Sequence, residues 1–408
     1  MPSLKLNKVT FFLVCVFAIF LLTVLVSLFR DDGQRNLYVH QAKAFLSGNL
    51  NVQERLHDVS IYKGKNYVPF PPFPAVLLMP CVAFFGSVSP ILIALILTFL
   101  NVYIFVHLLK KLHIERKAIP WLVLAFFCGT GYWLAVKWSH GVWHFAHVVS
   151  VTFMLLAIYE ATINGRGITT GVFLGCAFLS RQLTIYSSVY LFAALLLNPR
   201  NADRRAKIRE TLGFVFPVCF CIAAYLLFNR ARFDSMFDTG YSRMALLGFL
   251  KLRVEQFGLF HPIYFPFNFI YMFLQGPHIE FSGELLLKPE SMNFFGTSLT
   301  FASPFVFCAF FAKWNKALFY SAWISICLTL LHMLFYYNNG WGQINTQRFT
   351  LDFLPVLVVL VALSVKNVNK KLFYISIIYS VSLNILSFFV LSAARRLFPI
   401  LCFFAEGL

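Results

Sequence analysis

Charge is what this sequence has least of. Of its 408 residues only 12% are charged and just 16 are acidic, whereas 59% are hydrophobic. A soluble domain carries about 25% charged residues to cover its surface, so a soluble globular protein is excluded. Cysteine is sparse and unpatterned. All nine lie inside apolar runs and no C-x-x-C occurs. Cys219 and Cys221, two apart in one predicted helix, fall on different faces. The thiols therefore read as buried and inert, with neither a disulfide framework nor a zinc ribbon. No N-x-S/T sequon occurs either, which favours a bacterial over a secretory-pathway origin.

What is present is apolar chain in long runs, with 50 Phe and 17 Tyr among it. Runs of roughly 18 or more apolar residues match a hydrocarbon core of ~30 Å. The expected architecture is an all-α, polytopic transmembrane bundle forming a single domain over 1–408. The net charge of +18 does not point to nucleic acid, because the basic residues stand in short blocks between apolar runs. That pattern orients spans and meets anionic headgroups or a phosphorylated substrate.

Lys5 and Lys8 precede an apolar stretch at 9–29, read as an uncleaved first span with a cytoplasmic amino terminus. Basic blocks at 110–117, Arg166, 200–210, Lys313 with Lys316, and 366–371 mark further cytoplasmic loops. Spans between them fall near 88–109, 118–136, 144–163, 168–180, 183–197, 211–229, 297–312, 317–336, 349–365 and 372–394, about eleven in all. Only Glu115, Glu160, Asp203 and Glu210 fall inside, leaving 12 of the 16 acidic residues on the outer side. Carboxylate chemistry is therefore expected outside. Two outer segments are long, 30–87 and 229–296. Their apolar stretches "FPAVLLMPCVAFFG" and "LFHPIYFPFNFIYMFLQ" are too short to span and suit amphipathic helices in the interface. The pair 168–180 and 183–197 reads as two half-spans meeting at Arg181.

The candidate site residues cluster in these outer segments. Asp31 and Asp32 stand side by side at the mouth of the first span, before a helical pattern through Leu37, Tyr38 and Phe45. They either mark a helix start, where the macrodipole favours carboxylates, or serve as general base or metal ligand. Further on, "ERLHDVSIYKGKNYVPFPPF" contains the pair His57–Asp58, a tight turn at Gly64, and Tyr67. "KWSHGVWHFAH" puts Lys137 before His140, His144 and His147, the histidines at i, i+4 and i+7. One helical stripe of that kind can bind a metal or hydrogen-bond loops and phosphates. Arg181 and Arg348 lie close to or within spans, where a guanidinium needs a partner. Arg348 has one available at i+4 in Asp352, or it can chelate phosphate. Gln343 shares its polar loop, and Asp234 lies in "NRARFDSMFDTGY".

In order along the chain, "DDGQRNLYVHQAKAFLSGNLNV", "GKNYVPFPPFPAVLLMP", "GVFLGCAFLSRQLTI", "RFDSMFDTGY" and "GQINTQRFTLDFLP" together resemble the GT-C membrane glycosyltransferases, the superfamily of the protein O-mannosyltransferases and the lipid A aminoarabinose transferases. The resemblance implies an inverting glycosyltransferase. A hexose or pentose would pass from a polyprenyl-phosphate donor to a lipid, glycan or protein hydroxyl on the non-cytoplasmic face of a bacterial plasma membrane. It implies Asp31 or Asp32 as general base, with 30–87 as the catalytic loop. Phosphate or substrate binding then falls to Arg181, Arg348, Lys137, His140, Tyr67 and Gln343, with His57, Asp58, His144 and Asp234 behind them. A divalent metal (Mg, Mn or Zn), present in some relatives, would use Asp31, Asp32 and His144. Relatives of the aminoarabinose type carry a basic residue just before "PP", where this chain has Phe70; phosphate binding shifts to the arginines. The alternative is a transporter or flippase of a lipid-linked sugar, which would place polar groups at the bilayer midplane and usually show internal repeats. None is visible.

Overall fold

A computed structural model describes residues 8–397 apart from Asp32, Gln34, 55–57, Leu247 and 341–342. The architecture is helical throughout, with three small two-stranded ribbons. Among the described residues, five helices are long and apolar enough to cross a membrane: Pro90–Lys111, Val142–Asn164, Arg204–Phe233, Lys316–Leu334 and Lys370–Phe388. Val142–Asn164 is the central one, since 78% of its apolar window is buried against 22–44% for the other four.

The expected first span is a continuous helix, Lys8–Leu28, and the other expected spans are helical but shorter or broken, for local reasons. The run at 118–136 divides at Gly129-Thr130-Gly131, between the helical turns that end at Cys128 and begin at Tyr132. At 297–312 there is no continuous α-helix. Leu299–Ala302 stops at Ser303, whose φ of −136° and ψ of 60° leave the helical region, and Pro304–Phe311 continues as 3-10 turns. The span expected at 349–365 becomes regular only at Leu354, behind a 3-10 segment Arg348–Asp352. The half-spans at Arg181 are present as Gly167–Phe178 and, after a 3-10 segment Gln182–Ser187, Ser188–Leu197. Both short apolar outer stretches fold as helices, Phe73–Phe85 and Pro262–Leu274.

Gly167, Gly171 and Gly175, four apart, let Gly167–Phe178 pack backbone to backbone on Arg204–Phe233. A Cβ added at these positions would overlap Glu210 O, Phe214 O and Cys221 Sγ respectively. Membrane helices associate through such small residues, because lipid gives no hydrophobic drive between them.

The helices separate two ends. At one, the loops carrying the basic blocks join. Lys370 Nζ lies 2.8 Å from Glu115 Oε2, Gly167 N donates to Glu210 Oε2 at 2.6 Å, and Asn198 Nδ2 to Thr162 O at 3.0 Å. At the other, the two long loops are stapled together. The hairpin Ser60–Tyr62/Lys65–Tyr67 turns through Lys63 and Gly64, both at positive φ (49° and 71°), as a tight two-residue hairpin requires. Ser60 Oγ donates to Gly240 O at 2.6 Å, Ala245 N to Val59 O at 3.2 Å, and the buried Arg232 to Val68 O. A parallel ribbon, Phe295 opposite Gln343 and Thr297 opposite Thr346, brings the segment before Arg348 to the same end.

Candidate functional site

Arg181 lies in extended backbone (φ −146°, ψ 104°) at the break between the half-spans, so its side chain leaves the helix stack. Its Nε and Nη2 donate to both oxygens of Asp352, at 3.0 and 2.8 Å. His147 Nδ1 is 3.2 Å from Asp352 Oδ1, and the His147 and Asp352 side chains are fully buried. Two-pronged guanidinium–carboxylate geometry fixes orientation as well as charge. Of the two roles open to Arg348 in the sequence, pairing with Asp352 at i+4 is therefore not the one formed: Asp352 belongs to Arg181 and His147. The physical reason is the 3-10 winding of Arg348–Asp352, which brings i and i+3 over one another, not i and i+4.

Arg348 is 4% exposed and stacks on Trp143 (5.4 Å) and Phe349 (5.5 Å). Arg181 and the carboxylate of Asp58 are within its electrostatic reach. Asp58 is itself 5% exposed and held at φ 66°, a conformation tolerated by Asp more than most residues. His144, 4% exposed, has both ring nitrogens without a hydrogen-bond partner among the described residues, and Arg348, His140 and His147 face it. A buried, unpaired imidazole beside a guanidinium is a polar group awaiting a ligand.

Tyrosines stand near Arg181. Tyr38, on the helix Leu37–Leu46, is in electrostatic reach of Arg181, Tyr225 and Tyr241, and Tyr241 of Tyr337. Burial raises the hydroxyl pKa of Tyr38 and Tyr241 well above the ordinary tyrosine value and pushes that of Tyr337 up to about 12. All three are therefore neutral hydrogen-bonding groups at physiological pH. Tyr225 Oη accepts from Gln182 Nε2 at 2.5 Å.

The other sequence candidates sit differently. Asp31 accepts from Ser89 Oγ at 2.5 Å and Gly33 N at 3.1 Å. Ser89 caps Pro90–Lys111, so Asp31 stands at the start of that helix and not of the one that follows it in sequence. Gly33 at φ 71° allows the close approach, since a side chain there would run into Val88 O. Asp32 and His57 lie outside the described residues. His140 falls in the turn before Gly141, so only His144 and His147 share the helix expected to carry all three. Lys137 Nζ lies over Phe388 at 4.9 Å, and Tyr67 packs on Phe233 with ring centroids 5.5 Å apart. Asp234 is exposed and bonded to Tyr62 Oη (2.9 Å) and Lys63 Nζ (2.5 Å), while Gln343 opens the strand that pairs with Phe295. Among the described residues no group of three His, Cys, Asp or Glu side chains is placed to hold a metal ion.

Arg181, Arg348, His144 and Asp58 are thus brought together. Asp31, Lys137, Tyr67 and Asp234 have their described contacts elsewhere. Asp352's partnership with Arg181 and the nearby tyrosines went unread in the sequence. Tyr38 counted there only as part of a helix's apolar stripe.

At the end where the two long loops are stapled, the helical bundle holds the arginine–aspartate cluster. Among solved structures, the chain is similar to ArnT from Cupriavidus metallidurans bound to undecaprenyl phosphate, with a TM-score of 0.50 and 14% identity over 89% of this chain. It spans 61% of the length of that protein's chain. No protein-family profile and no curated protein matches the sequence.

Proposed function

We propose that this protein is an integral-membrane glycosyltransferase. It moves a sugar from a polyprenyl-phosphate donor to a hydroxyl of a lipid, glycan or protein, at the face opposite the basic loops. The observation that carries this reading is a pair of guanidiniums, Arg181, 16% exposed and locked by Asp352, and the buried Arg348 beside it, in a fold like that of a protein bound to undecaprenyl phosphate. In the reaction, the bond between the anomeric carbon and the donor phosphate breaks. The acceptor oxygen bonds that carbon from the opposite side, inverting it, and the acceptor proton passes to a carboxylate. Charge grows on the departing phosphate, where fixed cations act best. Arg348 is the cation for that role, with Arg181 held rigid behind it. Asp31 and Asp32 are the proposed bases, and Asp58 joins them because it lies within reach of Arg348. Flipping a lipid-linked sugar would call for polar groups along the helices towards the midplane, whereas this cluster gathers at their ends.

The test is glycan transfer in membranes, read by mass spectrometry of lipids and glycans with and without the protein. Asp31→Asn, Asp32→Asn and Asp58→Asn are compared with wild type. At least one should abolish transfer, and Arg348→Ala should lower kcat by about 100-fold or more. Full activity in all three aspartate variants would sink the general-base assignment.

A further inference from the structure

The helix Lys316–Leu334 carries His332, in electrostatic reach of Asp352, in its last turn. Its first turn lies about 24 Å away along the axis and borders a cavity of about 560 Å³. Lys313, Trp314, Lys316, Phe319 and Tyr320, with Ala312, line that cavity. Trp314 is backed by Tyr190, with ring centroids 5.8 Å apart. Asn367 Nδ2 donates to Phe311 O at 3.2 Å, so the basic loop 366–371 runs close by.

The charge of this cavity is unbalanced. Among the described residues, lysine–carboxylate pairs join Lys63 to Asp234, Lys251 to Glu255 and Lys370 to Glu115. Lys313 and Lys316 are exposed and belong to none of them. The sequence offers no local partner either, because no acidic residue stands between Glu290 and Asp352. Two ammoniums on one cavity repel each other until an anion joins them.

The surroundings are apolar. Phe310, Phe311 and Tyr320 are exposed, and from Tyr320 an exposed stripe continues through Ile324, Leu328 and Leu331. Steps of four, four and three keep these side chains on one helix face. A small soluble anion would use the lysines and leave the stripe uncovered. A phospholipid uses both, with its phosphate at the lysines, its glycerol beside Trp and Tyr rings of the kind that settle at headgroup level, and an acyl chain along the stripe. A zwitterionic headgroup would bring its own cation towards the ammoniums, whereas an anionic one would not.

We propose that this cavity seats the headgroup of an anionic phospholipid from the adjoining leaflet, held by Lys313 and Lys316. The site is separate from the arginine cluster and does not depend on the transferase reading.

The experiment offers the purified protein phosphatidylglycerol or phosphatidylcholine in detergent and counts retained lipid by native mass spectrometry. Phosphatidylglycerol should bind about thirtyfold more tightly, about fivefold for each lysine. Lys313→Gln combined with Lys316→Gln should abolish that preference and keep the melting temperature measured without added lipid, since both side chains are exposed. Lys110→Gln combined with Lys111→Gln, in another basic block, should retain the preference. Equal retention of the two lipids, an unchanged preference in the first variant, or an equal loss in the second overturns the inference. Competition by inorganic phosphate that strips phosphatidylglycerol from the wild type would assign the lysines to a soluble anion, and overturns it too.

Discussion

Asp352 shows how a single residue is decided by its surroundings. In sequence it stands four places after Arg348, yet the folded chain gives it to Arg181, 171 residues away. Arg181 is only 16% exposed and Asp352 fully buried, so removing one partner strands a charge, at a cost of about 3–5 kcal/mol. Asp352→Ala should therefore melt well below wild type in detergent, followed by intrinsic fluorescence. Adding Arg181→Met to that variant should recover most of the melting temperature but no transfer activity, because a buried pair contributes more to geometry than to net stability. Recovery of activity would remove Arg181 from the site. The two arginines were legible as candidates because a guanidinium in an apolar span is conspicuous. Their partners were not, because spacing along the chain carries no information about contacts between helices.

At the scale of elements, the glycine stripe and the hairpin staple make separate predictions. Gly171 faces the backbone of Phe214 with no room for a side chain. Gly171→Val should force the helices apart, cost about 1–3 kcal/mol, and lower the melting temperature without altering any group at the site. The three glycines stand four apart in "GITTGVFLG", but that spacing does not say which helix they face. The hairpin tip behaves differently, being exposed. The Lys63 ammonium and then the Tyr62 hydroxyl bond Asp234 and hold its carboxyl below the ordinary carboxylate range. A depressed carboxylate contributes stability above its unfolded pKa and loses it as pH falls through the folded one. Backbone exchange of residues 60–67, corrected for its intrinsic pH dependence, should therefore rise only below about pH 4. Asp234→Asn should raise it at neutral pH while the bundle stays folded.

For the whole molecule, Lys370 meets Glu115 between two of the basic blocks, while Ser60 and Gly240 tie the two long loops together. The orientation rule places the basic end in the cytoplasm. A membrane-impermeant maleimide should therefore label Lys63→Cys in intact cells, and Glu115→Cys only after permeabilisation. The reverse pattern would put the arginine cluster on the cytoplasmic side and end the reading of an outward-facing transferase.

Hydropathy and charge spacing were sufficient to establish a polytopic helical bundle and to single out two arginines as candidates, because burial in lipid imposes its pattern residue by residue along the chain. Three things needed the tertiary structure. Asp31 rests on Ser89 at the start of another helix. Asp58 comes within electrostatic reach of Arg348, and tyrosines from separate elements gather near Arg181. Each is a meeting of segments far apart in sequence, and their relative placement is set by helix packing, such as the contact that the three glycines allow, and not by local composition.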